Sequence, residues 1–257
     1  MSSPQELLEL AVDACHRAGM LLLDRYGGPA RGVAVKSTPT DLVSDADRAA
    51  EGLIVDVISA ARPDDGIVSE EGGTRSQGDI TWVIDPLDGT VNFLFGIPQW
   101  AVTIAVDDRE GTLAGVTHDP LRSETFSAMR GNGAFLNDEP IAVTGQDQLS
   151  QALIGTGFAY DQRARARQAE ILQRVLPRAR DIRRAGSAAL DLAALACGRL
   201  DGFYEAPMER WDKAAGVLLI EEAGGVVSQL EAPFGLSQGV IAAGPSLHDA
   251  LRALVLA

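Results

Sequence analysis

Asp85 and Asp88 stand three residues apart at the end of the apolar run Trp82-Val83-Ile84, with Pro86 between them and Gly89-Thr90 after them. Paired carboxylates at the end of a strand offer oxygen ligands to a hard cation such as Mg²⁺. Thr90 adds a hydroxyl, and the amides of Gly89 and Thr90 can face a phosphate. Three further acidic clusters accompany this one. Glu70-Glu71 precedes Gly72-Gly73, Asp212 opens Trp211-Asp212-Lys213-Ala214-Ala215-Gly216, and Asp41, Asp45 and Asp47 crowd Asp41-Leu42-Val43-Ser44-Asp45-Ala46-Asp47. Each has a structural explanation when taken alone. The first is a turn corner and the second a solvated turn. Asp212 suits a helix start, where it caps free N–H groups. Ser44-x-x-Asp47 matches a capping box. All four together, in this order, point instead to a shared site.

The chemistry that such a site suits is phosphate-ester hydrolysis. A phosphate monoester is extremely slow to react with water. Two ions roughly 3.5–4 Å apart clamp the attacking and leaving oxygens of an in-line displacement and lower the pKa of a water. Carboxylates suffice for this, and no histidine is required. His16, His118 and His248 all lie outside the acidic motifs and read as structural or surface residues.

The elements that must position these groups are legible in outline. Val83 and Ile84 read as the end of a buried strand, which Pro86 stops because it has no N–H for the ladder. Helical periodicity covers 6–26 and 44–61, the latter with Leu53, Ile54, Val57 and Ile58 facing inward. Short strands are expected at 33–36 and 66–69. Strand-like runs at 100–106, 112–117, 124–128 and 134–136, separated by Gly and Asn turns, predict an antiparallel middle section. Beyond it come a strand at 152–155, an Arg-rich helix at 163–176 and a small-residue helix at 187–197 ended by Gly198. A strand at 200–205, a helix at 212–223, strands at 226–229 and 240–242, and a helix from Ser246 complete the chain. The order predicts an N-terminal α+β half, 1–145, with most of the candidate ligands. A C-terminal α/β half, 146–257, carries Asp212, and the two form one compact unit without a hinge.

Composition narrows the function classes. The chain has 257 residues, 46% of them hydrophobic and 23% charged, which suits a globular protein with a substantial core. A net charge of −14 argues against non-specific nucleic-acid binding and against an anionic membrane surface. No apolar run approaches the roughly 18–20 residues of a membrane span. The first residues lack the basic and apolar regions of a secretory signal, so a cytoplasmic location is expected. Cys15 and Cys197 sit in apolar, helix-like surroundings and read as buried free thiols. A negative protein that handles a phosphate ester needs cations in its site.

Taken together, the motifs resemble those of the inositol monophosphatase family. Asp85-Pro86-Leu87-Asp88-Gly89-Thr90 matches D-P-[LI]-D-[GS]-T, and 211–216 matches W-D-x-A-A-G. Ser69-Glu70-Glu71 matches S-E-E, and 41–47 matches D-L-V-[TS]-x-x-D. The resemblance spans nearly the whole chain and implies a layered α/β/α/β/α sandwich, as in inositol monophosphatases and fructose bisphosphatases, assembled as a homodimer. It implies a Mg²⁺-dependent phosphomonoesterase that converts inositol monophosphate to inositol and phosphate. Glu70, Asp85 and the Leu87 carbonyl would hold one Mg²⁺; Asp85, Asp88 and Asp212 would hold a second; a third, weaker ion would sit near Glu70. Mn²⁺ would substitute, and Ca²⁺ and Li⁺ would inhibit. Thr90, bonded to Asp47, would orient the attacking water, with Glu70 in the catalytic set. Asp88, Gly89, Thr90, Ala188, Glu205 and Asp212 would contact substrate, and Lys36 matches a family lysine near the metals.

The same metal motifs serve fructose bisphosphatases, histidinol-phosphate phosphatases and phosphoadenosine-phosphate phosphatases. Selectivity is expected in 158–167, 186–189 and 205–210. Some bacterial relatives also bind the transcription machinery. The candidate surface for that is Arg163-Ala164-Arg165-Ala166-Arg167, which otherwise reads as a solvated helix face.

Overall fold

A computed structural model describes residues 3–28, 32–35, 42–75 and 78–257. Lys36 and Asp41 lie outside the described residues. The chain opens with helix α1 (Pro4–Leu23), the antiparallel pair β1 (Ala34–Val35) and β2 (Leu42–Val43), and helix α2 (Asp45–Ala61). Next come β3 (Gly66–Ser69), β4 (Gly73–Arg75), β5 (Thr81–Asp88), the short helix α3 (Thr90–Leu94), β6 (Ala101–Asp108), β7 (Gly111–Asp119), β8 (Glu124–Met129), β9 (Ala134–Leu136) and β10 (Glu139–Pro140). The remainder is β11 (Leu153–Thr156), α4 (Gln162–Val175), β12 (Asp181–Arg183), α5 (Ala188–Ala196), β13 (Gly202–Glu205), α6 (Arg210–Glu222), β14 (Val226–Leu230), β15 (Gly239–Ala243) and α7 (Pro245–Leu256).

Strands β3 to β10 form one sheet in the order β10-β9-β8-β7-β6-β5-β3-β4, antiparallel except where β3 runs parallel to β5. The second sheet has the order β12-β11-β13-β15-β14, with β11 parallel to both neighbours. Helices α1 and α2 cover the outer face of the first sheet. Helices α5 and α6 lie between the sheets, and α7 with α4 beside it packs on the outer face of the second. This is the five-layer α/β/α/β/α sandwich that the motifs imply.

Small residues make the middle layer possible. A Cβ on Gly216 of α6 would stand 2.6 Å from the Leu192 Cβ of α5, and one on Gly115 of β7 would stand 2.9 Å from the Ala215 Cα. Close approach therefore fixes glycine at both points. Helix α1 starts with a full capping box, Ser3 and Glu6, and buries Leu7, Ala11, Ala14, Cys15, Ala18 and Leu22 on one stripe. No helix among the described residues is long and apolar enough to cross a membrane.

Several boundaries differ from the sequence reading. Helix α1 ends at Leu23, and turns carry the chain to Gly27 at φ +74°. In α2 the buried stripe is Ala46, Ala50, Ile54 and Ile58 with Val55 beside it, while Leu53 and Val57 are only half-buried. Helix α6 begins at Arg210, so Asp212 is not its cap residue. Strands β4, β10 and β12 and helix α3 carry no clear periodicity because each has five residues or fewer. Cys197 is half-buried, its thiol donating to the Ala194 carbonyl at 3.5 Å.

The most consequential difference is at Pro86. Strand β5 does not stop there but runs on to Asp88. Asp85 pairs with Thr103 and Asp88 with Ala101, so three steps on β5 oppose two on β6. A bulge leaves a position with no ladder bond to give, which is where a strand tolerates proline.

Candidate active site

That bulge opens onto a cavity of about 840 Å³. Strand ends and helix starts converge on it: Asp85, Leu87 and Asp88 from β5, Glu70 after β3, Thr156 and Gly157 at the end of β11, Glu205 at the end of β13, Ser187, Ala188 and Asp191 at the start of α5, and Asp212 in the first turn of α6. The expected substrate contacts and metal ligands outside the masked segments therefore share one chamber, with Asp47 reaching it only through Thr90.

Within the bulge each residue has a separate contact. The Leu87 amide donates to Asp85 Oδ1 at 3.0 Å, while the Leu87 side chain is buried in the core beneath. Gly89 has φ +95°, and a Cβ there would stand 2.9 Å from the Gln99 carbonyl oxygen. Thr90 Oγ1 lies 2.8 Å from Asp47 Oδ1 and 3.1 Å from the Leu87 carbonyl, sharing its one proton between them. Asp47 is fully buried, and its Oδ2 accepts from the Ser44 amide at 2.9 Å and the Ser44 hydroxyl at 2.5 Å. The capping box foreseen at Ser44 is real, and the same carboxylate also holds Thr90.

Two other acids are anchored by hydrogen bonds, Asp88 by two and Asp212 by one. Asp88 Oδ2 accepts from the Ser187 hydroxyl and from the Ala189 amide at 2.8 Å, which ties β5 to the start of α5. Asp212 Oδ2 accepts from the Glu209 amide at 2.6 Å as the third residue of a capping box.

The electrostatics are severe. Burial pushes the Asp85 carboxyl well above its ordinary range, and Glu70, Asp88 and Asp212 push it further. Asp212 is raised in the same way by burial, then by Glu70 and Asp88. Asp88 is raised by burial and partly relieved by its bonds from Ser187 and Ala189. Elsewhere in the cavity, burial and then Asp88 raise Asp191 to about 8, while burial and then Asp191 raise Glu205 to about 8. Arg184 is the one Lys or Arg among the described residues that line the chamber.

Among the described residues, no three His, Cys, Asp or Glu side chains already form a metal cage. Asp85 instead shares a hydrogen bond with Glu70. Four mutually repelling carboxylates and a carbonyl nonetheless make an all-oxygen donor set, which suits a hard divalent cation.

Sequence reasoning missed Asp191 and Arg184. The signal for Asp191 was a lone carboxylate inside the otherwise apolar Ala188–Ala196 helix; Arg184 had none. The histidines stay away from the chamber. His16 Nε2 and His118 Nδ1 both bond Thr125 Oγ1, at 2.8 and 3.0 Å, and His248 Nε2 bonds Ser228 at 2.9 Å. The arginine run is engaged locally. Arg163 lies 4.9 Å over the Phe234 ring, Arg165 Nε donates to the Ala159 carbonyl at 3.0 Å, and Arg167 pairs with Glu170 at 3.0 Å.

A five-layer α/β/α/β/α sandwich with an acid-walled chamber fed by both sheets defines a structural class. Within it, this chain belongs to the inositol monophosphatase family, whose model matches residues 3–256. It is 44% identical over 248 residues to the inositol-1-monophosphatase SuhB of Mycobacterium tuberculosis strain H37Rv, covering 92% of this chain and 86% of that one. It is 39% identical over 252 residues to the Nus factor SuhB of Escherichia coli strain K12, covering 96% and 94%. The crystal structure of the extragenic suppressor protein suhB from Bartonella henselae superposes with a TM-score of 0.91 at 37% identity, covering 97% of this chain and 98% of that one.

Proposed function

We propose that this protein is a Mg²⁺-dependent phosphomonoesterase that hydrolyses inositol monophosphate to inositol and phosphate. One observation carries the reading. Glu70, Asp85, Asp88 and Asp212 reach a single chamber from three separate places, beside a Thr90 hydroxyl bonded to a buried Asp47. In this reading Glu70, Asp85 and the Leu87 carbonyl hold one ion, and Asp85, Asp88 and Asp212 hold a second. A third binds weakly near Glu70. When bound, Mg²⁺ supplies Lewis-acid stabilisation of phosphoryl oxygens and a water of lowered pKa.

The chain's own residues do the rest. Asp47 keeps the Thr90 proton turned towards itself, so the Thr90 oxygen accepts a hydrogen bond from the attacking water and orients it. The Gly89 and Thr90 amides bond the phosphate oxygens. Glu205 and Ala188 contact the hydroxyls of the leaving alcohol. Mn²⁺ supports the reaction, while Ca²⁺ and Li⁺ inhibit it. A cytoplasmic homodimer completes the proposal.

Phosphate release from inositol 1-phosphate tests it, measured with Mg²⁺, with EDTA, and with Asp85→Asn. Release in the first alone is the expected result. Equal release in all three sinks the reading. A panel of sugar, polyol, histidinol and nucleotide phosphates then separates inositol phosphate from the other substrates served by such a site.

The name Nus factor, carried by the E. coli relative, motivates a second reading as a partner of the transcription machinery. Arg163 and Arg165 are engaged with Phe234 and Ala159, which weighs against their helix as that surface. RNA polymerase retained in a pull-down, and lost on changing Arg163, Arg165 and Arg167, would reverse this judgement.

A further inference from the structure

The chamber has two chemically different walls. One is acidic. The other carries the apolar side chains Phe158, Tyr160, Pro207, Trp211 and Leu236, interleaved with Asp161, Glu209 and Ser237. Tyr160 is 41% exposed and Leu236 36%, so neither is absorbed by a core.

The three segments that supply these residues are nevertheless fastened by polar contacts. The Arg163 guanidinium covers the Phe234 ring, and Arg165 Nε holds the Ala159 carbonyl. The Ala159 amide donates to the buried Gln168 Oε1 at 2.9 Å. Lys213 Nζ donates to the Met208 carbonyl at 3.1 Å and also to the Gln238 carbonyl, and the Ser237 hydroxyl donates to Glu209. Polar side chains thus pin the chain on either side of the residues that line the cavity. That is pre-organisation for a ligand and not for a core. A volume of about 840 Å³ is large for a small-molecule site. A single polyol ring with its phosphate, held by the acids as proposed above, would leave these apolar side chains uncovered.

We propose that this wall is a leaving-group subsite for an apolar or aromatic substituent. The substrate class is then phosphate monoesters of alcohols with hydroxyls on one side and a planar apolar group on the other. Leu236 and Tyr160 are the specificity-determining residues. The inference rests on the hydrolytic reading above, and its test keeps the two apart.

Two primary alkyl monoesters, 2-phenylethyl phosphate and glycerol 1-phosphate, are compared by kcat/KM in Mg²⁺. The native protein favours the phenyl ester about 10-fold or more, and Leu236→Ser and Tyr160→Ala each lower that ratio roughly 5-fold, through KM. An unchanged ratio in both variants overturns the proposal. So does an unchanged ratio with a shift in sedimentation, which would assign the wall to contact with a second copy. Calorimetric titration of 2-phenylethylphosphonate in Mg²⁺ gives a readout without turnover. Binding weakened about 5-fold by Leu236→Ser supports the subsite even if no ester is hydrolysed, a result that would sink only the hydrolytic reading. Equal binding, or none, overturns the subsite.

Discussion

The floor and the rim of the chamber are built on different principles. The floor acids Asp85, Asp88 and Asp212 stand at strand ends and a helix start, and each accepts hydrogen bonds from the backbone of its own or a neighbouring element. The rim, 158–161 and 233–238, is connecting chain held by long side chains such as Arg163, Arg165 and Lys213. In the proposed reading the groups that do chemistry sit on regular elements, and the groups that select the alcohol sit on connecting chain pinned by side chains.

Substitutions graded from floor to rim sharpen or break this contrast. Asp85→Asn should lower phosphate release by on the order of 10³-fold and abolish calorimetric Mg²⁺ binding to the first site. Thr90→Ala should cost on the order of 10²-fold in kcat with little change in Mg²⁺ affinity, and Thr90→Ser should restore most of it. An equal loss in Thr90→Ser would mean that the methyl, not the hydroxyl, matters. Ser187→Ala leaves Asp88 with one donor fewer, so Mg²⁺ affinity should fall roughly 10- to 100-fold. A rise confined to KM, with Mg²⁺ affinity unchanged, would place Ser187 on the substrate instead.

Two of the chamber acids give a pH signature. The folded-state values of Asp191 and Glu205, about 8, lie far above their ordinary values of 3.8 and 4.5. Between those limits the folded chain binds more protons than the unfolded one. Metal-free stability should therefore fall as pH rises through that window and be highest at its acidic end. Thermal melts at pH 5.5 and 8 check this, and Asp191→Asn should flatten the difference. An unaltered slope would show that Asp191 is not among the acids being titrated. The smallest effect belongs to the rim. Arg163→Ala should cost no more than about 1 kcal/mol of stability while speeding hydrogen exchange in 233–238.

How much was legible follows the same division. The floor could be read because carboxylates at fixed spacing, such as Asp85 and Asp88, leave little structural freedom of interpretation once Glu70 and Asp212 accompany them. Asp47 shows the weakness of choosing between explanations, because its capping box and its bond to Thr90 are both present. The bulge escaped because proline in a strand pattern signals a stop, and only the pairing partner on β6 reveals that the strand continues. The rim residues 233–238 had no signal. Their contacts with Arg163 and Lys213 join segments distant in sequence, and nothing in their local composition marks them. The order of the layers was equally unreadable from periodicity and came from the motif resemblance.

The break in pairing between Asp85 and Asp88 has a kinetic consequence. It lies in the last part of β5, beyond Ile84 where pairing with β3 ends, so β6 is the strand that flanks it. The Leu87 amide is bonded there to a carboxylate and not to a neighbouring strand. Amides of interior strands ordinarily exchange only when the whole molecule opens. Here the strand carries a local point of release at the end that faces the chamber. Deuterium should enter at Leu87 ahead of Val83 and Ile84 on the same strand, and a ligand that engages Asp85 should alter the clock of that one amide first.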